Sequence, residues 1–112
     1  MIKHDKHIAN IPDVIIEKIK LFTKELENSN LKIEQVLLFG SYASGKNDKW
    51  SDIDLAIISD DFTGIKHLDY SRFIDAILKV DKAIEPIPFR TIDFTDDDPL
   101  VSEIKQNCIA IN

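Results

Sequence analysis

The amino-acid sequence predicts an α/β fold of the α+β kind, a small mixed β-sheet of about three to four strands flanked by helices. Three observations predict it: an apolar stripe at helical spacing near the amino terminus, two short apolar runs typical of buried strands, and a third strand that follows a helix. We expect a single domain over residues 1–112, because 112 residues are too few for two full cores and no repeat or linker-like stretch interrupts them.

The first predicted helix follows Asn10 and Pro12. Proline is tolerated in a first helical turn because its missing N–H would have no partner there. Apolar residues then recur at steps of three and four, which places them on one helical face: Ile11, Ile15, Ile19, Phe22 and Leu26. A polar cluster at residues 28–30 ends the helix.

Two apolar runs in the middle of the chain predict strands that are covered on both faces. The first, residues 36–39, is closed by Gly40, and the second, residues 53–58, ends at a polar turn over residues 59–61. Periodicity alone leaves open that the first run is a buried helical turn.

A helix and a third strand follow. The helix covers about residues 65–80, with Leu68, Phe73, Ile77 and Val80 among its apolar contributors. The strand covers residues 83–89 and contains two prolines, at positions 86 and 88. Because proline has no N–H for a ladder, this strand should lie at a sheet edge or be short. A strand–helix–strand step favours parallel pairing, so the second and third strands should start side by side.

The last predicted helix begins around residues 96–99, where carboxylates suit the positive end of a helix. It directs Leu100, Val101 and Ile104 inward, and the tail from Cys108 to Ile111 adds a short strand.

Composition excludes several classes of function. A net charge of −6 disfavours a broad nucleic-acid platform. One cysteine forms neither an internal disulfide nor a Cys-rich zinc site. The first residues lack the apolar core of a signal peptide, and no apolar run approaches the roughly 20 residues that span a bilayer. We therefore expect a cytoplasmic protein with no membrane association.

Asp52 and Asp54 are the first candidates for chemistry. Residues two apart in a strand point to the same face, so both carboxylates meet there while Ile53 and Leu55 face the other way. Two neighbouring anions repel each other, and a divalent cation removes that conflict; carboxylate oxygens are ligands that Mg²⁺ prefers. The alternative is that the pair is a solvated strand terminus.

Gly40 and Ser41 form a second candidate. Gly40 ends a buried strand, and Ser41 opens a short helical turn through Ser44. Exposed N–H groups at such a turn bind anions, and a glycine lets a phosphate approach the backbone closely. An ordinary strand end with a serine cap is the alternative.

These residues carry a family resemblance. Gly40–Ser41, ten intervening residues and then Asp52-Ile53-Asp54 resemble the signature of the nucleotidyltransferase superfamily that includes DNA polymerase beta. The short chain is similar to the minimal nucleotidyltransferases of bacteria and archaea, and residues 84–89 resemble a subgroup of them. The resemblance implies a polymerase beta-like fold, nucleotide binding at Gly40 and Ser41, and a third catalytic carboxylate.

Two residues are candidates for that third carboxylate. Glu85 begins the third predicted strand, which parallel pairing places beside Asp52 and Asp54, whereas Asp93 lies beyond it. Glu85 is the preferred candidate, although the family more often carries aspartate there. Ser44 stands where several relatives carry arginine.

The resemblance also implies a mechanism and a partner. Asp52, Asp54 and Glu85 would bind two Mg²⁺ ions roughly 3.5–4 Å apart, and a nucleoside monophosphate, AMP from ATP, would pass to an acceptor hydroxyl with release of pyrophosphate. Small proteins of this type resemble the antitoxin of a toxin–antitoxin pair whose toxin is a helical HEPN-domain protein. A partner protein or self-association is therefore expected. The second hypothesis is a nucleotide-binding module that acts on its partner without turnover.

The remaining candidates are given ordinary structural roles. Lys46 and Lys49 are expected to be solvated, with phosphate contact as the alternative. Trp50 is expected to pack on the domain, with stacking on a base as the alternative. His4 and His7, in the amino-terminal tail, are expected to be disordered surface groups. His67 lies near a predicted helix start and is not expected to bind metal, because no second ligand accompanies it at a suitable spacing.

Overall fold

The structure, a computed structural model, describes residues 2–3 and 10–112, and side chains from residue 10 onward. His4 and His7 lie outside the described residues. Within the described residues, five helices and five strands follow one another as β1 (Ile2–Lys3), α1 (Asp13–Asn28), β2 (Gln35–Phe39), α2 (Ser41–Ser44), β3 (Ile53–Ile58), α3 (Lys66–Tyr70), α4 (Ile74–Val80), β4 (Ile84–Phe89), α5 (Pro99–Gln106) and β5 (Cys108–Ala110). Short 3₁₀ turns cover Ser71–Phe73 and Thr91–Asp93.

The strands form one mixed sheet in the order β1-β5-β2-β3-β4. β2 runs antiparallel to both β3 and β5, whereas β1 pairs parallel with β5 and β4 pairs parallel with β3. The predicted mixed sheet is confirmed, and so is the parallel pairing of the second and third predicted strands, which are β3 and β4. The sheet has five strands rather than three to four, because β1 is a two-residue strand and too short to leave a periodic pattern.

β4 is an edge strand, as its prolines predicted. The N–H of Ile53 donates to the carbonyl of Ala83 at 2.8 Å, and the N–H of Ser59 donates to the carbonyl of Phe89 at 2.9 Å. Successive strand residues direct their backbone groups to alternate edges, so the odd-numbered residues of β4 face β3. Pro86 and Pro88 therefore stand at the outward positions, where a missing N–H removes no ladder bond.

The sheet is covered on both faces. On one face the predicted stripe of α1 is buried and packs with α4 against Val36, Leu38, Ile53, Leu55 and Ile57. On the other face α5 packs Val101 and Ile104 against Leu37, Ala56, Phe89 and Cys108. The α5 face carries the even-numbered residues of β3, which include Asp54. Near the start of β3, Asp54 is half-buried and Asp52 is exposed.

Two details of the predicted helices are wrong. The helix expected over residues 65–80 is divided into α3, a 3₁₀ turn and α4, and Leu68 is 49% exposed, although Phe73 is fully buried. Leu100 is 37% exposed, because the sheet is met by Val101 and Ile104, three residues apart on α5, and Leu100 lies to the side of that pair. Asp98, inside the predicted start, accepts a hydrogen bond from the N–H of Leu100 and caps α5.

A buried carboxylate orders the turn between β3 and α3. Asp69 is 2% exposed and accepts hydrogen bonds from the N–H and hydroxyl of Thr63, both at 2.8 Å, and from the N–H of Gly64 at 2.9 Å. Burial by itself raises the pKa of Asp69, but these hydrogen bonds outweigh burial and hold the pKa below its usual value.

Candidate active site

The corner between β2 and α2 brings the glycine–serine pair to the end of the sheet. Gly40 has φ 72° and ψ −148°, a backbone conformation that is essentially limited to glycine. The N–H groups of Ala43 and Ser44 donate back to its carbonyl at 3.1 Å, which forms the single turn of α2, and Gly45 ends that turn in the left-handed region. The predicted helical turn from Ser41 to Ser44 is confirmed.

Gly40 is also required by its neighbour across the ladder. Phe39 pairs with Asp54, so Gly40 lies beside the carboxylate of Asp54. A Cβ on residue 40 would overlap Asp54 Oδ2 and stand 3.0 Å from Cγ. The absence of a side chain at Gly40 therefore leaves room for the Asp54 carboxylate at the corner where Ser41 begins its helix.

The register of β3 and β4 brings a second carboxylate to the same face. Asp54 pairs with Glu85 in the parallel ladder, and residues in register on adjacent strands project from the same side of a sheet. Asp54 is half-buried on a central strand, whereas Asp52 and Glu85 are exposed. The three acids thus extend from the sheet interior to its edge strand.

These carboxylates repel one another. Burial raises the pKa of Asp54 above its usual value, and the negative charges of Asp52 and Glu85 raise it further. The site therefore has an excess of negative charge that a cation would relieve.

The donor set suits a divalent cation. Carboxylate oxygens are hard ligands of the kind that Mg²⁺ selects, and the three acids supply them. Among the described residues, no three His, Cys, Asp or Glu side chains are already grouped so that they could hold a metal ion. Asp52 and Glu85 are exposed, so rotamer changes are open to them.

A cleft of about 310 Å³ lies beside the glycine–serine corner. It is bounded by Gly40 and Ser44 on one side and by Leu100, Glu103 and Asn107 on the other. Leu100 was expected in the core and instead lines this cleft. Glu103 and Asn107 carried no recognisable sequence signal, because only the packing of α5 against the sheet brings them near the corner.

Asp93 lies away from the three acids. It follows β4 in a 3₁₀ turn and accepts two hydrogen bonds from Arg90, at 2.6 Å to Nε and 3.2 Å to Nη2. The hydrogen bond and charge of Arg90 hold the pKa of Asp93 below its usual value. Since β3 and β4 are parallel, Asp93 belongs to the opposite end of the strands from Glu85.

The loop between α2 and β3 is solvent-facing. Lys46 and Lys49 are exposed, as expected. Trp50 does not pack on the domain: its side chain is 81% exposed, and the expectation of packing is wrong. The reason is that its neighbours Asp48 and Ser51 bond to each other in a tight turn that directs Trp50 outward from the fold.

Comparisons with known proteins define the family. The family described as "Nucleotidyltransferase domain" matches residues 16–111, so this chain belongs to the nucleotidyltransferases. Over 82 residues, it is 37% identical to "Putative protein adenylyltransferase MJ0141" of Methanocaldococcus jannaschii, an alignment that covers 68% of this chain and 80% of the relative.

A solved structure supports the fold. The crystal structure of "a putative nucleotidyltransferase from Sulfolobus solfataricus" superimposes with a TM-score of 0.63 over 96% of this chain and 87% of that one, at 16% identity. The predicted polymerase beta-like nucleotidyltransferase fold is confirmed. Within the residues that the structure describes, no helix is long and apolar enough to cross a membrane.

Proposed function

We propose that this protein transfers a nucleoside monophosphate, AMP from ATP, to a hydroxyl group on a partner protein. The observation that supports the proposal most is the pairing of Asp54 with Glu85 beside Gly40, since it joins acidic residues to a corner suited to phosphate. The similarity to a protein named as an adenylyltransferase favours ATP and a protein acceptor.

Gly40 and Ser41 would bind the triphosphate. The glycine permits close approach to the backbone, and the Ser41 hydroxyl can donate to a phosphate oxygen. Asp52, Asp54 and Glu85 would hold Mg²⁺, in a two-ion site as expected from the family. When bound, Mg²⁺ neutralises phosphate charge and favours the deprotonated form of the attacking hydroxyl.

The reaction follows from this placement. The acceptor oxygen attacks the α-phosphorus, the bond from that phosphorus to the bridging oxygen breaks, pyrophosphate leaves, and the hydroxyl proton passes to solvent. The protein contributes mainly position and electrostatics, which dominate phosphoryl-transfer chemistry. A nucleoside triphosphate substrate agrees with the cytoplasmic location expected from the sequence.

The exposure of the site favours a large acceptor. Glu85 lies on an edge strand and is exposed, so the acceptor hydroxyl need not enter a deep pocket. A chain of this size offers little further surface for selecting an acceptor. We therefore propose that the acceptor and partner is a helical HEPN-domain protein, on which this chain acts as an antitoxin. Residues 1–112 would form one catalytic domain.

The test uses ATP labelled at the α-phosphate, Mg²⁺ and the product of the neighbouring gene. Label should appear on the partner protein and disappear, by at least about 100-fold, in the Asp52→Asn plus Asp54→Asn variant. Glu85→Gln should lose label to a similar extent, whereas Asp93→Asn should retain it. Asp75→Asn, an exposed carboxylate on α4, is the matched charge control.

Three outcomes contradict the proposal in different ways. A tight complex with no label on either protein indicates the nucleotide-binding module that acts without turnover. Loss of label in Asp93→Asn but not in Glu85→Gln would show that Asp93, and not Glu85, is the third carboxylate. Label that survives the double substitution would show that Asp52 and Asp54 are not required for the reaction.

A further inference from the structure

Trp50 is the largest apolar side chain of the protein and stands two positions before Asp52 of the proposed site. It is 81% exposed, whereas four phenylalanines, Phe22, Phe62, Phe73 and Phe89, are buried. The loop that carries it, residues 45–52, begins at the end of α2 and leads directly into β3. Both flanking elements hold residues of the proposed site, Ser41 in α2 and Asp54 in β3, and Asp52 is the last residue of the loop itself.

The backbone around Trp50 is held in place. Its N–H donates to Asp48 Oδ1 at 2.8 Å, the N–H of Asp48 donates to Ser51 Oγ at 2.9 Å, and the N–H of Ser51 donates to the carbonyl of Asp48 at 3.2 Å. The N–H of Lys46 donates to the carbonyl of Ser41 at 3.0 Å and ties the other end of the loop to α2. A ring presented on an ordered turn loses little conformational freedom when a ligand covers it.

The chemistry of this position suits a nucleobase. Aromatic side chains stack on bases through their faces, whatever the base. Lys49 Nζ lies 5.1 Å from the centre of the indole ring, which adds a cation near the path of an anionic ligand in an otherwise acidic protein. The ring of Trp50 is otherwise largely uncovered.

The distances fit a nucleotide. Only Ser51 separates Trp50 from Asp52, so their Cα atoms lie at most about 7 Å apart. A base is joined to its phosphates through one ribose, so phosphates held beside Asp52 and Gly40 leave the base within reach of the indole. We propose that Trp50 stacks on the base of the bound nucleotide and favours purines, whose two rings cover more of the indole than a pyrimidine does. This inference rests on the proposed function.

The experiment uses the single tryptophan of the chain. ATP with Mg²⁺ should quench the intrinsic fluorescence of Trp50, CTP should quench it less at equal concentration, and inorganic tripolyphosphate, which has no base, should leave it unchanged. Calorimetry measures the affinities: Trp50→Leu should raise the Kd of ATP by about 5- to 150-fold and leave that of tripolyphosphate unaltered. Trp50→Phe should retain most of the affinity for ATP.

Each other result overturns a stated step. One such result is that Trp50→Leu leaves the Kd of ATP unchanged and that the wild type binds ATP and tripolyphosphate equally well. This result would contradict stacking on Trp50 but not phosphate binding at the site. If Trp50→Leu weakens binding of the acceptor protein but not of ATP, Trp50 contacts the acceptor protein, and the inference is overturned. Absence of binding by both ATP and tripolyphosphate would overturn the proposed function itself.

Discussion

Replacing Gly40 with alanine tests the link between the backbone of the corner and the carboxylate beside it. At φ 72° and ψ −148°, a residue with a Cβ is strained by about 2–3 kcal/mol. The added Cβ would also overlap Asp54 Oδ2, and the half-buried carboxylate would have to move. We expect the free energy of unfolding to fall by about 3 kcal/mol, a substantial part of the 5–15 kcal/mol typical of a domain.

Gly45→Ala is the matched control. Gly45 also has a positive φ, 76°, but a Cβ there meets nothing within 4 Å. Its left-handed conformation should cost alanine only about 1 kcal/mol and leave Asp54 undisturbed.

Two assays separate the effects. Urea unfolding gives the free energies, and transfer of labelled AMP gives the activity, which should fall about 100-fold in Gly40→Ala because the carboxylate is displaced. Activity in Gly45→Ala should stay near that of the wild type. Equal losses of stability in the two variants, or full activity in Gly40→Ala, would refute the steric reasoning.

Two further predictions concern stability alone. The pKa of Asp69 is lower in the folded protein than in the unfolded chain. The contribution of its carboxylate to the free energy of unfolding is therefore complete above about pH 4 and is lost as the pH falls through the pKa of the folded state. Asp69→Asn should therefore lower the free energy of unfolding at neutral pH by about 1–3 kcal/mol and make that free energy fall less steeply as the pH is lowered. Urea titrations between pH 2 and pH 7 measure both effects. An unaltered pH dependence in the acid range would contradict this prediction. Phe73→Ala should cost about 3–5 kcal/mol in the same assay, because Phe73 is fully buried among three other aromatic rings, and a loss below about 1 kcal/mol would show that those rings close the gap.

The order of the elements was accessible from local patterns. The apolar stripe predicted for the first helix repeats at helical spacing, and all five of its predicted members are buried, four of them in α1 and Ile11 just before it. Pro86 and Pro88 predicted an edge strand, since each removes a hydrogen-bond donor whatever the rest of the chain does. The turn from Ser41 to Ser44 was likewise predictable, because glycine followed by serine favours that change of direction.

Other features depended on residues distant in the sequence. Nothing local separated Leu100 from Val101 as core residues, because the answer depends on how α5 rotates against the sheet. Trp50 was expected to pack, yet the Asp48–Ser51 turn leaves it exposed. Burial is a property of the assembled fold, so a side chain's own hydrophobicity predicts it only on average.

The sequence by itself determined the family, through the spacing of Gly40–Ser41 from Asp52 and Asp54, because those four residues lie within one short stretch of chain that runs from the end of β2 through α2 into β3. Only the tertiary structure decided that Glu85 rather than Asp93 pairs with Asp54. The reason is physical: Glu85 is 31 residues away along the chain, and its position is set by the hydrogen-bond register between two parallel strands, which is formed only when the intervening helices pack on the sheet.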